Sequence, residues 1–363
     1  LPPEAAEILK VLQAEAPFLP FPRIRERVEE ELEGTLGELF AEFDEQPMAA
    51  ASLGQVHGAR LTDGSEVVVK VQYPDIDKTI HSDLSNLKTM LSASGVFGRA
   101  FDMEPYFREL EDMLRLELDY VQEAVNLEEM RALLGVHPDL EVPRYVPERS
   151  TDRVLTMQRV SGVHLDEFLA AGPDDATRNR AGCALVDLIL EGLIVHRVLH
   201  ADPQLGNFLF QPDGRVAVLD HGCIKRFEEP FIADYRRAFR AQLGHDREAV
   251  IDAYAAVGYI RPDAGPRTRE ALWEISEVYA RPVSRDRVYT FGSEHLVEMG
   301  KSTALRHPAC FNMRPPGDVI YLHRTLVGGY FNAARLGATD NFFRRLKRIL
   351  DAADDAAGGA PKA

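Results

Sequence analysis

The sequence has 363 residues, 45% hydrophobic and 28% charged, which is typical of a folded protein with a buried core, and its length favours two domains or lobes. The net charge of −16 argues against broad nucleic-acid binding and against a polybasic membrane patch, since both need surplus lysine and arginine facing phosphate. Cys183, Cys223 and Cys310 are far apart and form no CxxC pair, which argues against a disulfide framework or a zinc knuckle. We expect a reducing, cytoplasmic location. The sequence contains no apolar run of about 18 residues, so it predicts no transmembrane helix. Peripheral contact with a membrane remains an open alternative.

The first 35 residues predict a helical extension of two short helices, over Glu4–Glu15 and Ile24–Leu32, interrupted by prolines. A β region then begins near Leu39. Two β-branched runs flank Asp63-Gly64, and this pattern predicts a β-hairpin because Asp-Gly favours the tight turn that joins paired strands.

The chain after Pro74 is predicted to be helical for a long stretch, including a segment from Tyr106 to Leu134, before a short strand at Val154–Met157. We therefore assign 36–157 to an N-terminal lobe with a sheet and inserted helices. Residues 158–350 are predicted to form a mainly helical C-terminal lobe, interrupted by a second hairpin on either side of Pro212-Asp213-Gly214. The alanine- and glycine-rich segment 351–363 is predicted to be a flexible tail.

Lys70 follows three consecutive valines in the first predicted hairpin. If that strand lies inside a sheet, the ammonium group is buried and needs an anionic partner. The alternative is an edge-strand lysine that points into water. The sequence of the strand leaves both interpretations open.

A second polar group, His200-x-Asp202-x-x-x-x-Asn207, lies in a loop after an apolar helix. At this spacing the Asp202 carboxylate can face a substrate hydroxyl while the Asn207 amide oxygen faces a magnesium ion, which is the arrangement that protein kinases use for phosphoryl transfer. The same residues are also favourable for a simple turn.

A third polar group, Asp220-His221-Gly222, follows an apolar strand, thirteen residues after Asn207. A carboxylate at a strand end beside a glycine is well placed to bind a metal ion that bridges phosphate oxygens. Each motif alone is common, but there is no reason for three unrelated turn motifs to follow one another in this order and at this spacing. Together the three groups favour a phosphoryl-transfer site.

Longer segments resemble the UbiB/AarF-type atypical kinases, the coenzyme-Q-associated relatives of protein kinases. The resemblance runs from residue 1 to about residue 345. The segments that carry it are Phe43-Asp44-x-x-Pro47-Met48-Ala49-Ala50-Ala51-Ser52-Leu53-Gly54-Gln55-Val56-His57, Val69-Lys70-Val71-Gln72-x-Pro74, Glu117-Leu118-Asp119-Tyr120 with Glu123-Ala124 and Asn126, and His200-Ala201-Asp202-Pro203 with Gly206-Asn207.

The resemblance implies a role for each matching position. Lys70 would contact the α- and β-phosphates of ATP or ADP and form an ion pair with Glu123, and Asp202 would be the catalytic-loop aspartate. Asn207 and Asp220 would bind Mg²⁺. The remaining roles fall on three segments, which are the phosphate loop Ala49, Ala50, Ala51 and Ser52; the adenine-binding hinge Met157, Gln158 and Val160; and the regulatory E-x-D motif Glu117 and Asp119.

The alanine-rich phosphate loop replaces a glycine-rich one. Glycine adopts positive φ at low cost and lets backbone amides close on phosphates, whereas alanine does not. We therefore expect the segment Ala49–Ser52 to be stiff and biased toward helix. We also expect it to bind ADP and ATP but to support weak or absent transfer to peptides.

Two departures from the family pattern stand out. The family's Lys-x-Gly-Gln motif belongs upstream of Leu1, so part of the N-terminal extension is expected to lie outside this sequence. His221 replaces a phenylalanine in the Asp-x-Gly motif, where we expect packing rather than titration. Arg324 matches a family position, and we expect it to pair with an acid.

The fold class expected from the resemblance is α+β, a bilobal protein-kinase-like fold with an N-lobe enlarged by helices. The expected function is that of an Mg²⁺-dependent ATPase or phosphotransferase that supports ubiquinone or isoprenoid-lipid metabolism. Its acceptor would be water, a small molecule or a lipid-like molecule. Two alternatives remain, a small-molecule phosphotransferase of a biosynthetic pathway and a nucleotide-gated scaffold without turnover.

Overall fold

A computed structural model describes residues 18–51, 53–76, 118–313 and 315–358. Its helices in chain order are α1 Phe21–Glu31, α2 Leu36–Leu39, α3 Tyr120–Leu134, α4 Leu165–Ala170, α5 Asp175–Glu191, α6 Glu229–Leu243, α7 Arg247–Val257, α8 Pro266–Ala280, α9 Leu296–Arg306, α10 Gly317–Leu336 and α11 Phe342–Gly358. Its strands are β1 Glu42–Phe43, β2 Ala49–Ala51, β3 Gly54–Arg60, β4 Glu66–Gln72, β5 Leu140–Glu141, β6 Val154–Gln158, β7 Val198–His200, β8 Phe208–Phe210, β9 Val216–Val218, β10 Ile224–Arg226, β11 Tyr289–Thr290 and β12 Thr339–Asp340.

These elements divide into two compact units. Among the described residues, the first unit comprises 18–51, 53–76, 118–131, 143–160 and 220–223, and the second comprises 132–142, 161–219, 224–313 and 315–358. Three short segments therefore depart from the division expected at residue 157. Residues 132–142 belong to the second unit, whereas residues 158–160 and residues 220–223, which contain the Asp-x-Gly motif, belong to the first.

The first unit is built on an antiparallel sheet in the order β1-β3-β4-β6, with β2 also paired to β3. The hairpin predicted around Asp63-Gly64 is confirmed, since β3 and β4 pair with His57 opposite Val69 and Gly64 has a φ of +89°. Alternating residues of β4 pack into the core. Val67, Val69 and Val71 are at most 1% exposed and lie in one cluster with Ile24 and Val28 of α1.

The strand that carries Lys70 lies inside the sheet. β4 is paired to β3 on one side and to β6 on the other, with Lys70 opposite Val56 and Leu155. The edge-strand alternative for Lys70 is therefore wrong. The strand predicted at Val154–Met157 is confirmed as β6.

The second unit is mainly helical. Its core joins α5 to α6, α10 and α11 through buried side chains such as Leu190, Ile232, Leu322 and Phe342. The predicted second hairpin is confirmed as β8 and β9, which pair antiparallel, and β5 joins β9 in parallel. α5 ends in a π-helical turn, Gly192–His196, after which Arg197 in the left-handed region turns the chain into β7.

Two sequence expectations need correction. The alanine-rich segment is not helical, because Ala49–Ala51 forms β2 and pairs residue by residue with β3. The tail beyond residue 350 is not frayed at its start, because α11 continues to Gly358. In the ranges described above, no helix is both long and apolar enough to cross a membrane. The predicted helix Glu4–Glu15 and most of the region between Pro74 and Tyr120 lie outside those ranges.

Candidate active site

Lys70, Glu123 and Asp220 come together in the first unit. The Lys70 Nζ donates to both carboxylate oxygens of Glu123, at 3.0 and 2.9 Å, and to Asp220 Oδ2 at 3.2 Å. The ammonium also lies 5.0 Å from the centre of the Tyr120 ring. The ion pair between Lys70 and Glu123 that the resemblance implies is therefore present in the structure.

Helix α3 positions Glu123. Asp119 precedes the helix, and its Oδ1 accepts a hydrogen bond from the Gln122 amide at 2.9 Å, as a capping residue does. Leu127 and Met130 bury the inner face of α3. Asp119 is exposed in this arrangement, and its partner in the E-x-D motif, Glu117, lies outside the described residues.

The charges around Lys70 stabilise one another. Burial alone would lower the pKa of Lys70, but the negative charges of Asp220 and Glu123 outweigh it and raise the pKa well above 10.5. Burial likewise opposes ionisation of Asp220, yet the Lys70 charge and the bond from the Gly222 amide lower the pKa of Asp220 to about 2. Lys70 and Asp220 are therefore charged at neutral pH.

The segment after Asp220 is held by α3. The Asn126 side chain donates to the His221 carbonyl at 2.8 Å, and Gly222 N donates to Asp220 Oδ1 at 2.9 Å. His221 is fully buried, in keeping with the packing role expected for it. The backbone on both sides of His221 thus fixes the direction of the Asp220 carboxylate.

Asp202, Asn207 and Arg324 come together in the second unit. Asn207 Nδ2 donates to Asp202 Oδ2 at 2.8 Å, and Arg324 donates to Asp202 Oδ1, also at 2.8 Å. The acid that was expected to pair with Arg324 is thus Asp202. Each oxygen of this carboxylate accepts a hydrogen bond, which holds the side chain in one orientation.

The strands on either side of the loop fix its ends. β7 pairs with β10, and Ala201 is fully buried. After the short 3₁₀ turn Leu205–Asn207, the Asn207 carbonyl accepts from the Leu219 amide at 2.9 Å. The loop that carries Asp202 and Asn207 is therefore tied at its far end to the residue just before Asp220.

The predicted hinge and phosphate loop both lie in the first unit. Met157 is buried and Gln158 is exposed at the end of β6. The Gln158 amide donates to the Arg144 carbonyl and the Arg159 amide to the Glu66 carbonyl. Ala49 and Ala50 are exposed on β2, the side chain of Ala51 is not described, and Ser52 lies outside the described residues.

A Mg²⁺ ion prefers oxygen ligands, and the residues predicted to bind it can supply them. The Asn207 amide nitrogen is directed at Asp202, which turns the amide oxygen away from that carboxylate. Asp220 is ionised and partly exposed. The donor chemistry of both residues fits the ion.

Sequence comparison identifies the family. Residues 11–254 match the family model described as the ABC1 atypical kinase-like domain. The chain is 30% identical to the atypical kinase COQ8, mitochondrial, of Saccharomyces cerevisiae over 96% of its length, and 31% identical to the atypical kinase COQ8B, mitochondrial, of Rattus norvegicus over 93%. It is 34% identical to the AarF domain-containing protein kinase 1 of Xenopus tropicalis over 79%.

The chain spans 70%, 63% and 56% of the yeast, rat and frog proteins. Among solved structures, the Rv3197–erythromycin complex from Mycobacterium tuberculosis matches with a TM-score of 0.74 and 24% identity, over 96% of this chain and 88% of that one. This likeness supports the kinase-like α+β fold and says nothing about ligands.

Proposed function

The chain belongs to the ABC1 atypical kinase-like family, the family of the COQ8 and AarF-domain kinases, and on that premise we propose that it binds Mg²⁺ with ATP or ADP and catalyses attack on the γ-phosphate. The nucleophile is water or a small or lipid-like acceptor. We further propose that this reaction supports ubiquinone or isoprenoid-lipid metabolism, because two of the relatives are COQ8 kinases. The compartment is proposed to be a reducing one, and the same two relatives bear mitochondrial names.

The observation that carries the proposal is the buried Lys70–Glu123 pair with Asp220 beside it. A buried ammonium ion with two carboxylate partners in a fixed geometry is costly to assemble and contributes little stability over apolar packing. It is, however, the group that protein kinases use to hold the α- and β-phosphates. Lys70 is therefore proposed to hold these phosphates, and Glu123 to hold Lys70.

Asp220 and Asn207 are proposed to bind the ion that accompanies the nucleotide. Bound Mg²⁺ would supply positive charge to the phosphate oxygens as the γ-phosphate is transferred. Lys70 neutralises further negative charge through its ammonium group. The N–H of Val160 is the proposed hinge donor to adenine, because the amides of Gln158 and Arg159 already donate to carbonyl groups of the chain.

Asp202 is proposed to orient the attacking hydroxyl or water. Its two oxygens accept hydrogen bonds from Asn207 and Arg324, and these two bonds leave acceptor capacity on the carboxylate for the attacking hydroxyl or water.

A second candidate function is a nucleotide-gated scaffold without turnover, in which the bonds from Asn207 and Arg324 hold Asp202 for a structural purpose alone. The two functions respond differently to Asp202→Asn. In an ATPase or phosphotransferase this change abolishes turnover, because the orienting carboxylate is lost. In a scaffold it leaves function intact, while a Lys70 substitution that prevents nucleotide binding does not.

The experiment is ATP consumption by the purified chain with Mg²⁺, in the presence and absence of lipid vesicles or quinone-precursor mimics. Asp202→Asn is the test variant. Asp263→Asn is the matched control, since Asp263 is exposed and forms a surface ion pair with Arg261. Turnover in the wild type and the control but not in Asp202→Asn supports the proposal. Equal turnover in all three proteins, or none in the wild type, contradicts it.

A further inference from the structure

Three residues of α10, spaced four apart, meet the loop that carries Asp202. They are Arg324, Gly328 and Asn332, which we call the loop-seating face. Residues at this spacing lie on one side of a helix, one turn above another. The loop residues they meet, Asp202 and Pro203, are more than 120 positions away in the sequence.

The two ends of the loop-seating face hold the loop by hydrogen bonds. Arg324 donates to Asp202 Oδ1 at 2.8 Å. Two turns further along, Asn332 Nδ2 donates to the Pro203 carbonyl at 2.7 Å, and the Asn332 side chain is buried. One bond thus orients the Asp202 carboxylate, and the other fixes the backbone directly after it.

Between these bonds the helix touches the loop directly, at a position with no side chain. A Cβ at residue 328 would lie 2.4 Å from Pro203 Cγ and 2.7 Å from Pro203 Cβ. Glycine inside a helix is less favourable than alanine. At position 328, however, the Pro203 ring approaches so closely that it leaves no room for a Cβ atom, which explains the glycine.

We propose that the loop-seating face positions the Asp202–Asn207 loop for phosphoryl transfer, with Gly328 and Asn332 as positioning residues that act through Pro203. The inference rests on the proposed function of Asp202 and Asn207. A Cβ at residue 328 displaces Pro203, and with it both the orienting carboxylate and the proposed Mg²⁺ ligand. Loss of the Asn332 bond releases the same backbone.

The test variant is Gly328→Ala, and two glycines of the same helix provide matched controls. A Cβ at Gly317 meets nothing within 4 Å, and one at Gly329 meets the flexible end of Ile189 instead of the loop. We expect Gly328→Ala to lower turnover by about 10²-fold, the loss that a misplacement of about 1 Å can cause. We also expect it to raise the Mg²⁺ concentration needed for half-maximal activity. Gly317→Ala and Gly329→Ala should change neither.

Two further variants separate positioning from general damage to the fold. In Gly328→Ala combined with Pro203→Gly the crowding atoms are absent, so the double variant should be no worse than Pro203→Gly alone. Asn332→Asp keeps the shape of the side chain but removes the donor, so it should also raise the Mg²⁺ requirement. If Gly328→Ala does not fold, Asn332→Asp alone tests the proposal.

Hydrogen–deuterium exchange over residues 200–208 tests whether the loop-seating face holds the loop, and it needs no measurement of enzymatic activity. Faster exchange in Gly328→Ala and Asn332→Asp, but not in Gly329→Ala, supports the proposal even if the wild type hydrolyses no ATP, in which case only the proposed function fails. If exchange and turnover in Gly328→Ala match those in Gly329→Ala, the loop-seating face does not position the loop.

Discussion

Removing the positive charge of Lys70 should destabilise the first unit more than a typical substitution does. In Lys70→Met the Glu123 carboxylate, with a side chain only 4% exposed, loses the cation that donates to both of its oxygens, and Asp220 loses the same cation. Breaking a buried ion pair by removing one partner costs about 3–5 kcal/mol. We expect a loss of unfolding free energy in this range at neutral pH.

A double-mutant cycle identifies the cause. Lys70→Met combined with Glu123→Gln removes both charges of the Lys70–Glu123 ion pair, so the double variant should recover most of the stability lost in Lys70→Met. Lys301→Met, at an exposed position of α9, is the matched control and should leave the stability unchanged. The assay is urea unfolding followed by far-UV circular dichroism, because the single tryptophan, Trp273, reports on the second unit. A Lys70→Met protein as stable as the wild type, or a double variant less stable than either single one, would refute the argument.

Two further predictions concern the phosphate loop and pH. Ala50→Gly loosens a residue that pairs with Gln55 in the β2–β3 ladder. A glycine in a strand costs about 0.5–1 kcal/mol, so calorimetry should find that the nucleotide affinity changes by about two- to fivefold. Unchanged nucleotide affinity and unchanged turnover would contradict a role for this loop. Burial lowers the pKa of His137, but the bond and charge of Asp187 outweigh it and raise the pKa above 6.5. A raised pKa in the folded state adds stability that is complete below about pH 6.5 and is lost as pH rises through the pKa of the folded state. The midpoints of urea unfolding should therefore fall more steeply from pH 6 to 8 in the wild type than in His137→Gln. Parallel pH profiles of the two proteins would contradict this prediction.

The local elements were predictable because short-range patterns determine them. Asp63-Gly64 between β-branched runs predicts the β3–β4 hairpin, and the three valines before Lys70 predict a strand with a buried face. Because the partner of Lys70 lies 53 residues away, no local pattern identifies it. Glu123 came from the family resemblance alone.

The wrong predictions were those in which non-local contacts outweigh local propensity. Ala49–Ala51 favours helix by composition, but the backbone hydrogen bonds of β3 are available beside it and pair it as β2. The segment after residue 350 looked like a frayed tail by composition. In the structure Leu350 and Ala353 are buried in the core of the second unit, and α11 continues to Gly358.

The contacts that the sequence did not reveal join distant segments. Nothing in the residues around Arg324 predicts that its acid is Asp202, 122 positions earlier. From the sequence alone, Gly328 is only a residue that weakens a helix, whereas in the structure the Pro203 ring packs directly against it. A glycine within an otherwise strong helical pattern is the only sequence signal of such an approach, and it does not identify the partner.

The central claim is that Asp220 and Asn207 bind a divalent ion together with the nucleotide. Calorimetric titration of ADP into the wild type, Asp220→Asn and Asn207→Ala, each with and without Mg²⁺, tests it most directly. We predict that Mg²⁺ strengthens ADP binding in the wild type and that each substitution abolishes most of this gain. Equal ADP affinity with and without Mg²⁺ in the wild type, or a full Mg²⁺ effect in both variants, would contradict the claim.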